Sequence, residues 1–168
     1  MPAILFTALL LLMPPQAIAG PKLFVFDCGS IKMDSLEMFG LEEGESDVTE
    51  MFVPCYLVRH DKGLLLWDGG LPRSVADADE PVVVAGGSMV YDTWIENQLE
   101  AMGLSSADVT HAAYSHLHFD HAGAANYFLD SEVLMQRTEW DAAFAEDAEY
   151  VDTSLFDGLK GAKLSLLD

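Results

Sequence analysis

Between Tyr114 and Gly123 the chain sets three histidines and one aspartate within six residues, His116-Leu117-His118-Phe119-Asp120-His121. Neutral imidazole nitrogen and carboxylate oxygen are the donors that Zn2+ takes, at about 2.0–2.2 Å. His116 and His118 alternate, and in extended backbone that spacing sends both rings to one side. Asp120 and His121 follow once the loop has turned, so they face a second point. Gly123 behind them permits tight backbone at a helix start. One short loop can thereby present ligands to two metal ions. A merely solvated loop has no need of three imidazoles and a carboxylate around apolar Leu117 and Phe119, so the stretch reads as a metal site. His60 and His111 stand apart from it and read as ordinary polar residues.

The hydrophobic pattern supplies a scaffold for this loop. Lys22 to Phe26 reads as a first strand, ended by Asp27-Cys28-Gly29-Ser30. Residues 31–50 are acidic and aperiodic and read as a loop. Phe52 to Arg59 and Leu64 to Trp67 read as two strands of a hairpin, joined at Asp61-Lys62-Gly63. Leu64 to Trp67 is apolar throughout, which predicts burial on both faces. Asp68-Gly69-Gly70 allows a sharp turn after it, and residues 71–90 read as mixed loop. Tyr91 to Met102 carries Trp94, Ile95, Leu99 and Met102 at helical spacing and stops at Gly103. Ser105 to Asp108 can cap a short turn. Val109 to Tyr114 reads as a strand that delivers the histidine loop at its end, where α/β sites are usually built. A short helix over Ala122 to Leu129, a strand over Val133 to Gln136, and a helix over Thr138 to Glu146 capped by Thr138 complete the series. The fold class is α/β (α+β), in a domain over residues 22–168.

Composition narrows the partners. Twenty-eight acidic against eight basic residues give a formal charge of −20 in a chain of 168 residues, 51% of them hydrophobic. That is enough apolar material for a packed core. Phosphate recognition needs clustered Lys and Arg, so nucleic acid is excluded as a partner, and an anionic membrane surface with it. The acidic excess reads as a solvated surface.

The first 20 residues hold no charged side chain. Ala3 to Met13 is an apolar run, Pro14-Pro15 ends it, and Ala17-Ile18-Ala19 follows. This is the layout of a secretory signal peptide over residues 1–19, cleaved after Ala19, although its start has no Lys or Arg. The run is short for a bilayer span. A periplasmic or secreted location is expected, with no membrane contact beyond that segment. Cys28 and Cys55 then meet an oxidising compartment, where pairing is possible. Sequence does not show whether the two meet. Cys55 lies in an apolar strand-like run and reads as a buried free thiol.

His116-x-His118-x-Asp120-His121 resembles the signature of the metallo-β-lactamase superfamily. Leu66-Trp67-Asp68-Gly69-Gly70 looks like that family's earlier strand-end motif, with Gly69 where Thr or Ser is usual. His121, a position where true β-lactamases commonly carry another residue, points to the dinuclear hydrolases. Ser115 to Gly123, followed by Met135-Gln136-Arg137-Thr138-Glu139-Trp140, is similar to N-acyl-homoserine lactonases that break bacterial quorum signals. Cys28 and Cys55-Tyr56-Leu57 also have counterparts there. The resemblance implies that His116 and His118 hold one Zn2+ and that Asp120 and His121 hold the other. It implies a small-molecule lactone as substrate, attacked at its carbonyl by metal-activated water. Asp120 would orient that nucleophile as the catalytic residue. Asp68 would lie behind the ligands and fix them by hydrogen bonds.

The family fold is a four-layer αβ/βα sandwich of two similar halves, and the resemblance covers the first. The family completes its site with a later His, a bridging Asp and a further His, whereas no histidine follows His121 here. A C-terminally truncated domain is therefore expected, with one apolar sheet face uncovered. Each zinc would have two ligands where a catalytic zinc normally has three. Weak zinc binding and slow or absent turnover are expected of this chain, with a homodimer as one way to complete the site. A thioester or other ester hydrolase on the same fold, and a non-catalytic metal-binding half-domain, are the alternatives.

Overall fold

The structure, a computed structural model, describes residues 20–146, 148 and 151–168. The leader expected over residues 1–19 lies outside the described residues. No helix among those described is long and apolar enough to cross a membrane.

Among the described residues, eight strands form one mixed sheet. They are β1 (Lys22–Met33), β2 (Glu50–His60), β3 (Gly63–Trp67), β4 (Val82–Val84), β5 (Gly87–Val90), β6 (His111–Ala113), β7 (Glu132–Gln136) and β8 (Lys163–Leu167). Their order is β4-β5-β1-β2-β3-β6-β7-β8. The half from β4 to β3 pairs antiparallel. From β3 onward the pairing is parallel, which demands crossovers, and helices supply them. These are α1 (Arg73–Ala76), α2 (Ile95–Ala101), α3 (Phe119–Ala122) and α4 (Arg137–Ala143).

Alternation along the strands shows which face is covered. Val53, Cys55 and Leu57 of β2, Leu64 and Leu66 of β3, and Val133 and Met135 of β7 are buried. They join Ile95 and Leu99 of α2, Ala122 of α3 and Ala143 of α4 in one hydrophobic core. The opposite face is different. Val25, Tyr56 and Trp67 form a row across three strands, and Trp67 is 44% and Val25 57% exposed. Burial of β3 on both faces, predicted from its apolar run, is thus corrected: cover lies on one face among the described residues.

Other expectations change for local reasons. β1 does not end at Phe26. It passes through Asp27-Cys28-Gly29 with a register shift and goes on to Met33. Two residues of β1 there oppose one of β2, the mark of a β-bulge, which reads in sequence like a strand end. Residues 71–90 hold α1, β4 and β5 where loop was expected. The helix expected over Ala122 to Leu129 starts earlier, at Phe119, and gives way to a 3-10 turn over Ala125–Tyr127. Thr138 does not cap α4, whose N-cap is Gln136 without a side-chain bond. Cys55 is no free thiol. It is disulfide-bonded to Cys28, because the bulge carries Cys28 to the buried side beside it.

Candidate metal centre

β6 ends at Ala113, and the chain leaves the sheet through Tyr114 and Ser115. His116 follows directly. Leu117 is fully buried and anchors the stretch in the core. His118 then takes the N-cap position of α3, so Asp120 and His121 lie in its first turn. A carboxylate there meets unpaired backbone N–H groups, which is favourable.

One donor atom each of His116, His118 and Asp120 lie within 4.8 Å of one another, the one such group of three or more among the described residues. The ring centroids of His116 and His118 are 4.5 Å apart, and those of His116 and His121 are 4.0 Å apart. His121 belongs to the same cluster but is held from behind. Its Nδ1 lies 3.0 Å from Asp68 Oδ2, and its Nε2 lies 3.4 Å from Asp120 Oδ2. His60 and His111 lie elsewhere, at the far ends of β2 and β6.

Asp68 is the hub behind the donors. It is 5% exposed and has φ of +62°, the only positive φ outside glycine among the described residues. Such backbone is unfavourable for a residue with a side chain, so its surroundings must hold it. The Asp68 N–H donates to Ala113 O. Its Oδ1 accepts from the Ser115 N–H at 2.7 Å, and its Oδ2 from the Ser115 hydroxyl at 3.0 Å. The carboxylate thereby fastens the start of the histidine loop and orients His121 at once.

The glycines that follow complete the grip. Gly69 N–H donates to His121 O, and Gly123 N–H donates to Gly70 O at 2.9 Å. A Cβ on Gly123 would stand 2.3 Å from Gly70 O, so only glycine lets α3 come this close.

Sequence reading missed the role of Glu139. Its carboxylate, on the first turn of α4, accepts the Leu117 N–H at 2.8 Å. It thus holds the peptide that joins His116 to Leu117, the residue between the two histidines. The only sequence signal was the Gln-Arg-Thr-Glu stretch, which carried a resemblance but no contact.

Charge in the cluster is divided. Burial costs the His121 cation, but hydrogen bonds and attraction from Asp120 and Asp68 outweigh it and hold its pKa up to about 9. Burial, then the neighbouring His121 and His118, push His116 down, so its ring is neutral and free to ligate. Burial would raise Asp120, yet its bond and attraction to His121 hold it below the usual carboxylate range. Without metal, the doubly protonated His121 ring bridges two carboxylates, in the place a cation would take. The donor set is the mixed nitrogen and oxygen set that zinc prefers, backed by a carboxylate of the kind that orients ligating histidines.

A mixed sheet with helices on one face, delivering His-x-His-x-Asp-His from a strand end, defines a class of metal-dependent proteins. Residues 48–161 match the metallo-beta-lactamase superfamily, and the chain belongs to it. It is similar to the N-acyl homoserine lactonase AttM of Azorhizobium caulinodans, 32% identical over 133 residues, 75% of this chain and 49% of that protein. It is also similar to an N-acyl homoserine lactonase of Bacillus thuringiensis, 34% identical over 58% of this chain and 41% of the relative. Among solved structures, a quorum-quenching N-acyl homoserine lactone hydrolase superposes with a TM-score of 0.67 at 26% identity, over 87% of this chain and 57% of the other. AidC, a dizinc quorum-quenching lactonase, shares the fold with a TM-score of 0.62 at 20% identity, over 90% of this chain and 60% of its own. The chain spans about half the length of the curated relatives it matches.

Proposed function

We propose that this chain carries the metal-binding machinery of a metal-dependent hydrolase that opens lactone rings, with zinc as the metal and N-acyl homoserine lactones as the substrate class. The carrying observation is the convergence of His116, His118 and Asp120 within 4.8 Å, beside a His121 whose Nδ1 is taken by buried Asp68. The lactonases at 32% and 34% identity supply the substrate class.

His116 and His118 would hold one ion. Asp120 and His121 would hold the second, with Asp120 between the two sets. A bound divalent metal supplies Lewis acidity, which polarises a carbonyl oxygen and acidifies water. The protein's own groups do the rest. Asp68 draws the His121 Nδ1–H, which leaves Nε2 turned toward Asp120 and the cluster. Asp120, an anion throughout the neutral range, orients the attacking water and can take up its proton. Glu139 and Leu117 keep the two histidines of the first pair in fixed relation. Export of the chain, read from residues 1–19, belongs to the same proposal, since the substrate class diffuses outside cells that signal with it.

A metal-binding domain without turnover is the second reading. The donor count favours it, since two ions would share His116, His118, Asp120 and His121 among the described residues. One experiment addresses both. The chain is titrated with Zn2+ and assayed for ring opening of an N-acyl homoserine lactone. Metal-dependent turnover, lost with chelator and in His118→Ala, is expected of the hydrolase. Zinc binding that His118→Ala abolishes, with no ring opening, would establish the second reading. Submicromolar binding of two ions per chain would overturn the expectation of weak binding, and a sizing run would show whether two copies complete the site.

A further inference from the structure

The Asp68–Gly70 turn grips the histidine loop on one side. On its other side it rests on the Cys28–Cys55 disulfide, whose two residues are fully buried. Gly70 has φ of +66°, and a Cβ built there would stand 2.3 Å from Cys28 Cβ, 2.9 Å from Cys28 O and 3.1 Å from Cys55 Sγ. The turn's backbone therefore lies directly against the bridge. Leu71 N–H donates to Cys28 O at 3.1 Å and ties the next residue to the same point. From there the contacts run onward without a gap. Gly70 O accepts from Gly123, Gly69 N–H reaches His121 O, and Asp68 holds Ser115 and His121.

We propose that the Cys28–Cys55 disulfide is a redox-sensitive strut for the metal loop. Oxidised, it holds the Asp68–Gly70 turn where it grips α3. Reduced, it releases that grip and weakens metal binding at Asp120 and His121. The metal arm rests on the reading of the site given above; the mechanical arm does not. Two thiols cannot share the space of a bonded pair. On reduction the sulphurs move apart, against a glycine with no side chain to give way and a core with no spare volume. The step itself is simple. A dithiol delivers two electrons and two protons and leaves as its disulfide, or a phosphine delivers two electrons while water supplies both protons and the oxygen of the phosphine oxide; either way the S–S bond breaks and each sulphur ends as a thiol. Placing the bridge under the site means that the full grip forms only where the cysteines oxidise, as in an exported protein.

The test compares the full chain, oxidised and after reduction with a water-soluble phosphine that is then removed without air. In metal-free protein, amide hydrogen exchange at Gly69 and Gly123 should accelerate about tenfold or more on reduction, while Val133 and Leu134 of β7 stay unchanged. Zn2+ affinity, read by competition with a chromophoric chelator, should fall about tenfold, and reoxidation should restore both. Equal exchange at Gly69 and Gly123 in the two redox states would overturn the proposal. Should neither form bind zinc, the metal reading fails, and the exchange comparison still decides the strut. Should the reduced chain unfold as a whole, Cys28→Ala/Cys55→Ala takes its place with the same readouts.

Discussion

Asp68 concentrates more of the site than any of the clustered histidines. Its carboxylate accepts two bonds from Ser115 and one from His121 while its own backbone holds φ of +62°. Truncation by Asp68→Ala removes the acceptor from three part-buried donors of Ser115 and His121, at about 0.5–1.5 kcal/mol per bond lost. The same change frees the His121 ring, and losing such an orienting partner typically weakens metal affinity by about 10–100-fold. Denaturant unfolding and a zinc titration read the two effects, and a variant as stable and as tight-binding as the parent would remove Asp68 from this role. His121 sets the pH behaviour. Its folded pKa of about 9 lies above the ordinary value of 6.5. In metal-free protein the stabilisation from its cation is complete below about pH 6.5 and is lost as pH rises through about 9. Metal must displace that proton, so affinity should climb between pH 6.5 and 9, with proton release on binding. Calorimetry in buffers of different ionisation enthalpy measures the release.

At the scale of elements, the loop is clamped between two neighbours. The turn after β3 holds one end through Asp68, and α4 holds the middle through Glu139 and the Leu117 N–H. The two clamps come from opposite sides in sequence: Asp68 stands 47 positions before Ser115, and Glu139 stands 22 positions after Leu117. Glu139→Ala should cost about 1–3 kcal/mol by leaving that amide without its acceptor. Glu139→Gln keeps an acceptor oxygen and should recover most of the loss. Equal stability of both variants in thermal unfolding would show that the Leu117 amide needs no partner.

At the scale of the molecule, the sheet is covered on one side among the described residues. Leu23, Val25, Phe52 and Trp67 remain more than a third exposed on strands whose other face forms the core. A patch of this kind drives association in water. Replacing Val25 and Trp67 by lysine should reduce self-association and raise solubility, with little effect on folding because neither residue reaches the core. Sedimentation of parent and variant at matched concentrations checks it, and identical profiles would mean that the face is not adhesive.

What the sequence determined by itself was local. The His-x-His-x-Asp-His run, the hairpin of β2 and β3, the helix ending at Gly103 and the α/β class all follow from spacing, turn chemistry and periodicity, which neighbours along the chain decide. Tertiary structure decided what depends on residues remote in sequence. It brought Asp68 to Ser115 and His121 across 47 and 53 positions. It set Glu139 under Leu117, joined Cys28 to Cys55 across a bulge, and, among the described residues, left one face of an apolar strand uncovered. Local propensity carries no information about which distant backbone will fill a given space. Only the packed sheet, with its parallel crossovers and close glycine contacts, fixes those partners.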